Sequence, residues 1–158
     1  MTIITVSTPT GRLGPEQRRT LAETLTDAVL VPEVGQFAPS ARAGFQVHFV
    51  ERRPDMMAIG GRLLSDSGPD TDVMVIDVAV MDGDWRQEVR TAVIERILAA
   101  MADACGLAQP SSAWWVTFRV IDEGSWGSSG RVLSVLSLLD TGVFTEEKAQ
   151  AIRAALGV

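Results

Sequence analysis

Phe45-Gln46-Val47-His48-Phe49 and Trp114-Trp115-Val116-Thr117-Phe118 decide the fold of this chain. Each alternates with period two, the pattern of a strand with one face packed on a core. They lie 69 residues apart. At the same offset, with no gap, Gly61-Arg62-Leu63-Leu64-Ser65 falls on Gly130-Arg131-Val132-Leu133-Ser134. Upstream, Gly11 matches Gly83 at a nearly equal offset of 72. Matches in the same order through both halves read as a duplicated unit.

Each unit reads as β-α-β. In the first, the β-branched run Ile3 to Thr8 predicts a strand and Gly11 and Gly14-Pro15 break it. Pro15 suits the first helical position, where a missing N–H costs nothing. Leu21, Leu25, Ala28 and Val29 follow at helical spacing, with Pro32 and Gly35 expected to bound the helix. In the second unit Val73 to Met81 is the strand and Asp82-Gly83-Asp84 a turn. Asp84 with Gln87 resembles a capping box, and Val89, Val93, Ile97, Ala100, Met101 and Ala104 mark a helix face. Gly106 is placed to stop that helix. The polar linker Ser65 to Asp70 separates the units, and Thr145 with Glu146 and Glu147 opens a tail helix.

Right-handed crossovers leave the strands of each unit parallel. The expectation is an α/β chain, an α+β two-layer sandwich: a four-stranded sheet with two helices on one face. The chain would form a single domain over 1–158, with repeat units 1–65 and 73–134 and a tail helix 145–156. The bare sheet face carries apolar positions, so burial against other subunits is expected.

Composition narrows the function. The chain has 158 residues, 14 Lys+Arg against 20 Asp+Glu, and a net charge of -6. That balance argues against nucleic acid, which needs a basic footprint. No apolar run reaches the ~20 residues of a membrane span, and the start lacks the features of a secretory leader. One cysteine, Cys105, and one histidine, His48, exclude an intrachain disulfide and a multi-histidine metal site. A cytoplasmic protein is the resulting expectation. His48 has no partner spaced to orient it, and Cys105 sits among small apolar residues, so both read as structural.

With these motifs quoted, the chain resembles the tautomerase superfamily, the group of 4-oxalocrotonate tautomerase and macrophage migration inhibitory factor. Gly11-Arg12 after the first strand, Glu16-Gln17 at the helix start, Glu51 through Ile59-Gly60-Gly61, and Trp126-Gly127-Ser128-Ser129-Gly130 carry the likeness. It spans roughly residues 2–65 and 73–134 and describes a fused, two-unit member. The resemblance implies a homotrimer that mimics a hexamer of short chains. It also implies a small-molecule carboxylate substrate and no cofactor or metal, because proton transfer needs neither.

The family's chemistry uses an amino-terminal proline whose secondary amine, with a pKa lowered by an apolar pocket, shuttles a proton between carbon and oxygen. The matching position here is Thr2, and Met74 in the second unit. Freed by removal of Met1, Thr2 would offer a primary amine with an unperturbed pKa near 8. Such an amine is a weak base or an imine former. Otherwise Thr2 merely continues the strand.

The resemblance further implies that Arg12 binds a substrate carboxylate, often across a subunit boundary. The family's second arginine aligns with Gln46 and Trp115, and its hydrophobic wall with Met57 and Trp126. Arg52 and Arg53 could replace the charge lost at Gln46, and Asp122 and Glu123 could activate water. Two readings stay open. One is a tautomerase, with hydratase or decarboxylase activity as a side reaction, acting on a 2-keto or enol carboxylate. The other is an inactive homologue that binds a small acidic ligand or serves as an oligomeric scaffold.

Overall fold

The computed structural model describes residues 1–68 and 70–158; Pro69, within the expected linker, lies outside the described residues. Strand β1 (Thr2–Pro9) leads through helix α1 (Pro15–Val34) to β2 (Phe45–Arg52). A short hairpin, β3 (Ala58–Ile59) and β4 (Arg62–Leu63), closes the first unit. The second repeats it: β5 (Met74–Met81), α2 (Gln87–Ala104), β6 (Trp114–Ile121), then the hairpin β7 (Trp126–Ser128) and β8 (Arg131–Leu133). A C-terminal extension adds α3 (Leu136–Leu139) and α4 (Glu146–Leu156).

The sheet order is β2-β1-β5-β6. Each unit's own strands are parallel, as right-handed crossovers require, and β1 meets β5 antiparallel. The architecture is the mixed two-layer α+β one. Strand starts and helix starts keep the sequence offsets, so both halves are the same unit built twice.

Alternation settles the two faces. Thr2, Ile4, Val6 and Thr8 of β1 are buried, as are Met74, Ile76, Val78 and Val80 of β5. Over them lie Leu21, Leu25 and Val29 of α1 and Val93, Ile97 and Met101 of α2, all essentially inaccessible. Gln17 ties the helices together: its side chain accepts from Gly14 N–H (2.8 Å) and donates to the Ala104 carbonyl (3.0 Å). Trp114 is buried beneath the helices and Trp115 is exposed on the open face, as adjacent residues of a strand must be.

Two boundaries differ from expectation. Helix α1 passes through Pro32 and ends at Val34, where Gly35 at φ 80° donates its N–H to Val31 (2.9 Å). A proline in the last turn forfeits a single backbone bond, and buried Leu30 and Val34, packed with Ala38, hold that turn in place. Asp84 does not cap α2. The N-cap is Arg86, without a side-chain bond. Trp85 turns inward first, donating its indole N–H to the Met81 carbonyl (2.8 Å), and the Asp84 carboxylate faces Lys148 Nζ at 3.2 Å instead. Thr145 caps α4 as expected, accepting from Lys148 N–H.

The open sheet face is more polar than the sequence pattern suggested. The pairings align His48, Thr5, Asp77 and Thr117 in one rung across all four strands, and Thr117 donates to Asp77. Apolar Ile3, Val50, Val75 and Trp115 occupy the rungs on either side.

Candidate functional site

At the start of β1 a cleft of about 420 Å³ opens between the sheet and the β7–β8 hairpin. Met1, Thr2 and Ile3 line it, with Gly44 just before β2, Gln46 of β2, Arg119 and Ile121 of β6, and Trp126 of β7. Its floor is one rung of the sheet, Gln46, Ile3, Ala79 and Arg119. Thus the first unit supplies Thr2 and Gln46, and the second unit supplies the cation and the aromatic wall.

Thr2 is 1% exposed, and its hydroxyl is buried with no hydrogen-bond partner among the described residues. Its nitrogen is here a peptide amide, because Met1 precedes it and the Met1 carbonyl accepts from Met81 N–H (3.1 Å). Arg119 is exposed and makes no ion pair among the described residues. A guanidinium free of carboxylates that lines one cleft with an amide side chain and an indole is suited to a small planar carboxylate.

The other expected site residues lie elsewhere. Met57 and Trp115 line a second pocket of about 180 Å³ with Ala58, Ile59, Val73, Val75 and Ala113. It is the first cleft's counterpart under the internal repeat: Val73 stands for Met1, Trp115 for Gln46, and Met57 for Trp126. Position 50 holds valine where the second unit has Arg119, so this copy carries no cation among its lining residues.

Arg12 sits outside both pockets. Its guanidinium grips Asp72 with two bonds, Nε–Oδ1 at 2.8 Å and Nη2–Oδ2 at 2.7 Å, and lies 6.0 Å over the Trp114 ring. The Asp72 hydrogen bond raises its pKa further, so it stays charged. Arg53 pairs with Asp55, and Arg52 lies at the end of β2 opposite the cleft. Glu123 accepts from Val135 N–H (3.1 Å) at the hairpin base, and His48 exchanges a hydrogen bond with Gln46 (3.0 Å). Cys105 caps α2.

Arg119 is the residue sequence reasoning missed. Its signal was available: period two puts it on the same face as Trp115. Its meeting with Thr2 and Gln46 depends on the antiparallel junction of β1 and β5, which no local pattern encodes.

No family model and no curated protein matches the sequence. Solved structures do. A member of the cis-3-chloroacrylic acid dehalogenase family superposes with a TM-score of 0.69 at 21% identity, covering 96% of this chain and 99% of that one. A fused 4-OT solved as a symmetric trimer gives 0.67 at 19% identity, covering 86% and 98%. Pt0534 inactivated by 2-oxo-3-pentynoate gives 0.66 at 20% identity, covering 86% and 98%. This chain therefore has the tautomerase-type fold, in its fused two-unit form.

Proposed function

We propose that the cleft at Thr2 binds a small 2-keto or enol carboxylate and transfers a proton between its carbon and oxygen. The observation that carries this reading is the convergence of Thr2, Gln46, Trp126 and unpaired Arg119 on one cleft. Arg119 would hold the carboxylate, and the Gln46 amide would donate to the keto or enol oxygen. Trp126 would form the apolar wall. Removal of Met1 would make the Thr2 nitrogen a primary amine able to pass the proton. The reaction is an isomerisation, so nothing leaves and no co-reactant enters. Met57 and Trp115 would line a second, uncharged cleft.

Among the described residues the outer edges of β2 and β6 are unpaired, and one sheet face is open. A homotrimer burying that face would satisfy both, as unpaired edges and shared symmetry favour. Its mass in solution would be three times 17.0 kDa.

A second reading rests on the buried Thr2, which continues strand β1. With Met1 kept, the cleft has its anion-binding groups but no amine, and the protein is a binder of small carboxylates. Ketonisation of phenylenolpyruvate separates the two. Turnover by the native chain, lost when Met1 is retained, supports the enzyme. Activity confined to a Thr2→Pro variant supports the binder. Inactivity of both, with no thermal stabilisation by phenylpyruvate, discards the cleft as a carboxylate site.

A further inference from the structure

We propose that a second cavity, between the C-terminal end of α1 and the α3–α4 connection, is a binding site for a small apolar primary amine whose ammonium pairs with Glu33. The cavity measures about 240 Å³ and is walled by Leu30, Val34, Phe45, Leu138, Val143 and Phe144. Glu33 is the one ionisable side chain among its described lining residues, with the hydroxyls of Ser40 and Thr141 as further acceptors.

The Glu33 carboxylate makes no ion pair among the described residues; Met1 also lines the cavity, and its amino group acts on the carboxylate without pairing with it. Its Oε2 is inaccessible to solvent and has no hydrogen-bond partner among the described residues. The cations of neighbouring elements are engaged elsewhere. Lys148 on α4 pairs with Asp84 (3.2 Å), and Arg42 holds Asp27 (2.6 Å) and Glu23 (3.0 Å). Burial pushes the Glu33 carboxyl up to about 7, against the opposing charge of the Met1 amino group. A buried carboxylate oxygen without a hydrogen-bonded counter-ion is costly, and a ligand ammonium within hydrogen-bond reach supplies one.

The walls are held, so the space is a built one. Thr145 N–H donates to the Val34 carbonyl (2.9 Å), and the Gln36 side chain donates to the Val143 carbonyl (2.7 Å). The two bonds pin the α3–α4 connection onto the end of α1 from both sides. Gly35 permits the close approach, since a Cβ there would stand 2.6 Å from Thr145 Oγ1. An apolar cavity of about 150 Å³ accepts benzene. The larger space here fits one ring carrying an aminomethyl group. Its charge is opposite to that of the Thr2 cleft, so the two sites select opposite ligands.

Benzylamine and its neutral isostere benzyl alcohol, titrated calorimetrically at pH 8 with methyl NMR as the locator, test the proposal. Expected is one-to-one binding of benzylamine at least tenfold tighter than the alcohol, with the methyls of Leu30, Leu138 and Val143 perturbed. Glu33→Gln should erase that tenfold preference while leaving alcohol binding unchanged, and Ala41→Leu, which fills the cavity, should weaken both. Equal affinities in the native protein, no binding of either probe, a preference that survives Glu33→Gln, or shifts centred on Trp126 would each overturn it.

Discussion

Arg12 and Asp72 are joined by a two-bond ion pair that ties the turn after β1 to the segment leading into β5. Both side chains are about a quarter exposed, and the guanidinium also covers Trp114. The residue that family likeness would assign to a substrate is thus part of the seam between the two units.

Arg12→Ala should therefore act on stability. The loss of two charge-assisted bonds at a partly exposed site is worth about 1–2 kcal/mol, measured as a lowered midpoint in urea. Affinity of the Thr2 cleft for phenylpyruvate should stay within twofold. A tenfold loss of affinity with normal stability would return Arg12 to the binding site.

Arg119→Gln should do the reverse. An exposed guanidinium with no ion pair among the described residues contributes little to folding, so the melting temperature should hardly move. Carboxylate affinity, read by calorimetry, should fall tenfold or more, about 1.4 kcal/mol. Unchanged affinity would remove Arg119 from the site.

These two arginines mark how far the sequence could be read. Arg12 stood out because the family resemblance sets an arginine after the first strand, beside Gly11. Arg119 lacks such a signature, and its meaning comes from the rung it shares with Ala79, Ile3 and Gln46. Pairing across the unit boundary is a long-range event that period-two alternation cannot specify.

Glu33 should make stability depend on pH. Its folded-state pKa of about 7 lies above the ordinary value of 4.5, so between these values the folded chain binds more protons than the unfolded one. Stability contributed by the protonated carboxyl is then complete below about 4.5 and is lost as pH rises through 7. Glu33→Gln should remove that slope and stabilise the protein at pH 8 by up to about 3 kcal/mol. Parallel stability–pH curves for both proteins would refute the assignment.

Gly35→Ala should be costly. The residue sits at φ 80°, and its new Cβ would stand 2.6 Å from Thr145 Oγ1 and 2.9 Å from Lys148 Cγ. Left-handed strain plus displacement of the α4 cap suggests a loss of about 2 kcal/mol or more by denaturant unfolding. Loss of the protection of Thr145 N–H in hydrogen exchange should accompany it.

Ser129→Gly tests the hairpin turn. Ser129 at φ 53° and Gly130 at 74° repeat the left-handed pair that Gly60 and Gly61 form in the first unit. Two-residue hairpins of this twist favour glycine, so the variant should gain about 0.5–1 kcal/mol. A loss would mean the serine hydroxyl contributes there.

What the sequence determined by itself is what local periodicity can carry. Alternation in Phe45–Phe49 and Trp114–Phe118, helical spacing in the two long helices, and their repetition after 69 to 72 residues specify two β-α-β units. The fixed hand of the crossover then makes each unit's strands parallel. The tertiary structure alone decided how the units join, that Arg119 shares a rung with Ile3 and Gln46 next to Thr2, and that Glu33 Oε2 is shielded from solvent beside the C-terminal extension. Those outcomes rest on contacts between residues distant in the chain. A side chain's pattern along its own strand or helix says which face it takes, while its partner on that face is chosen by packing.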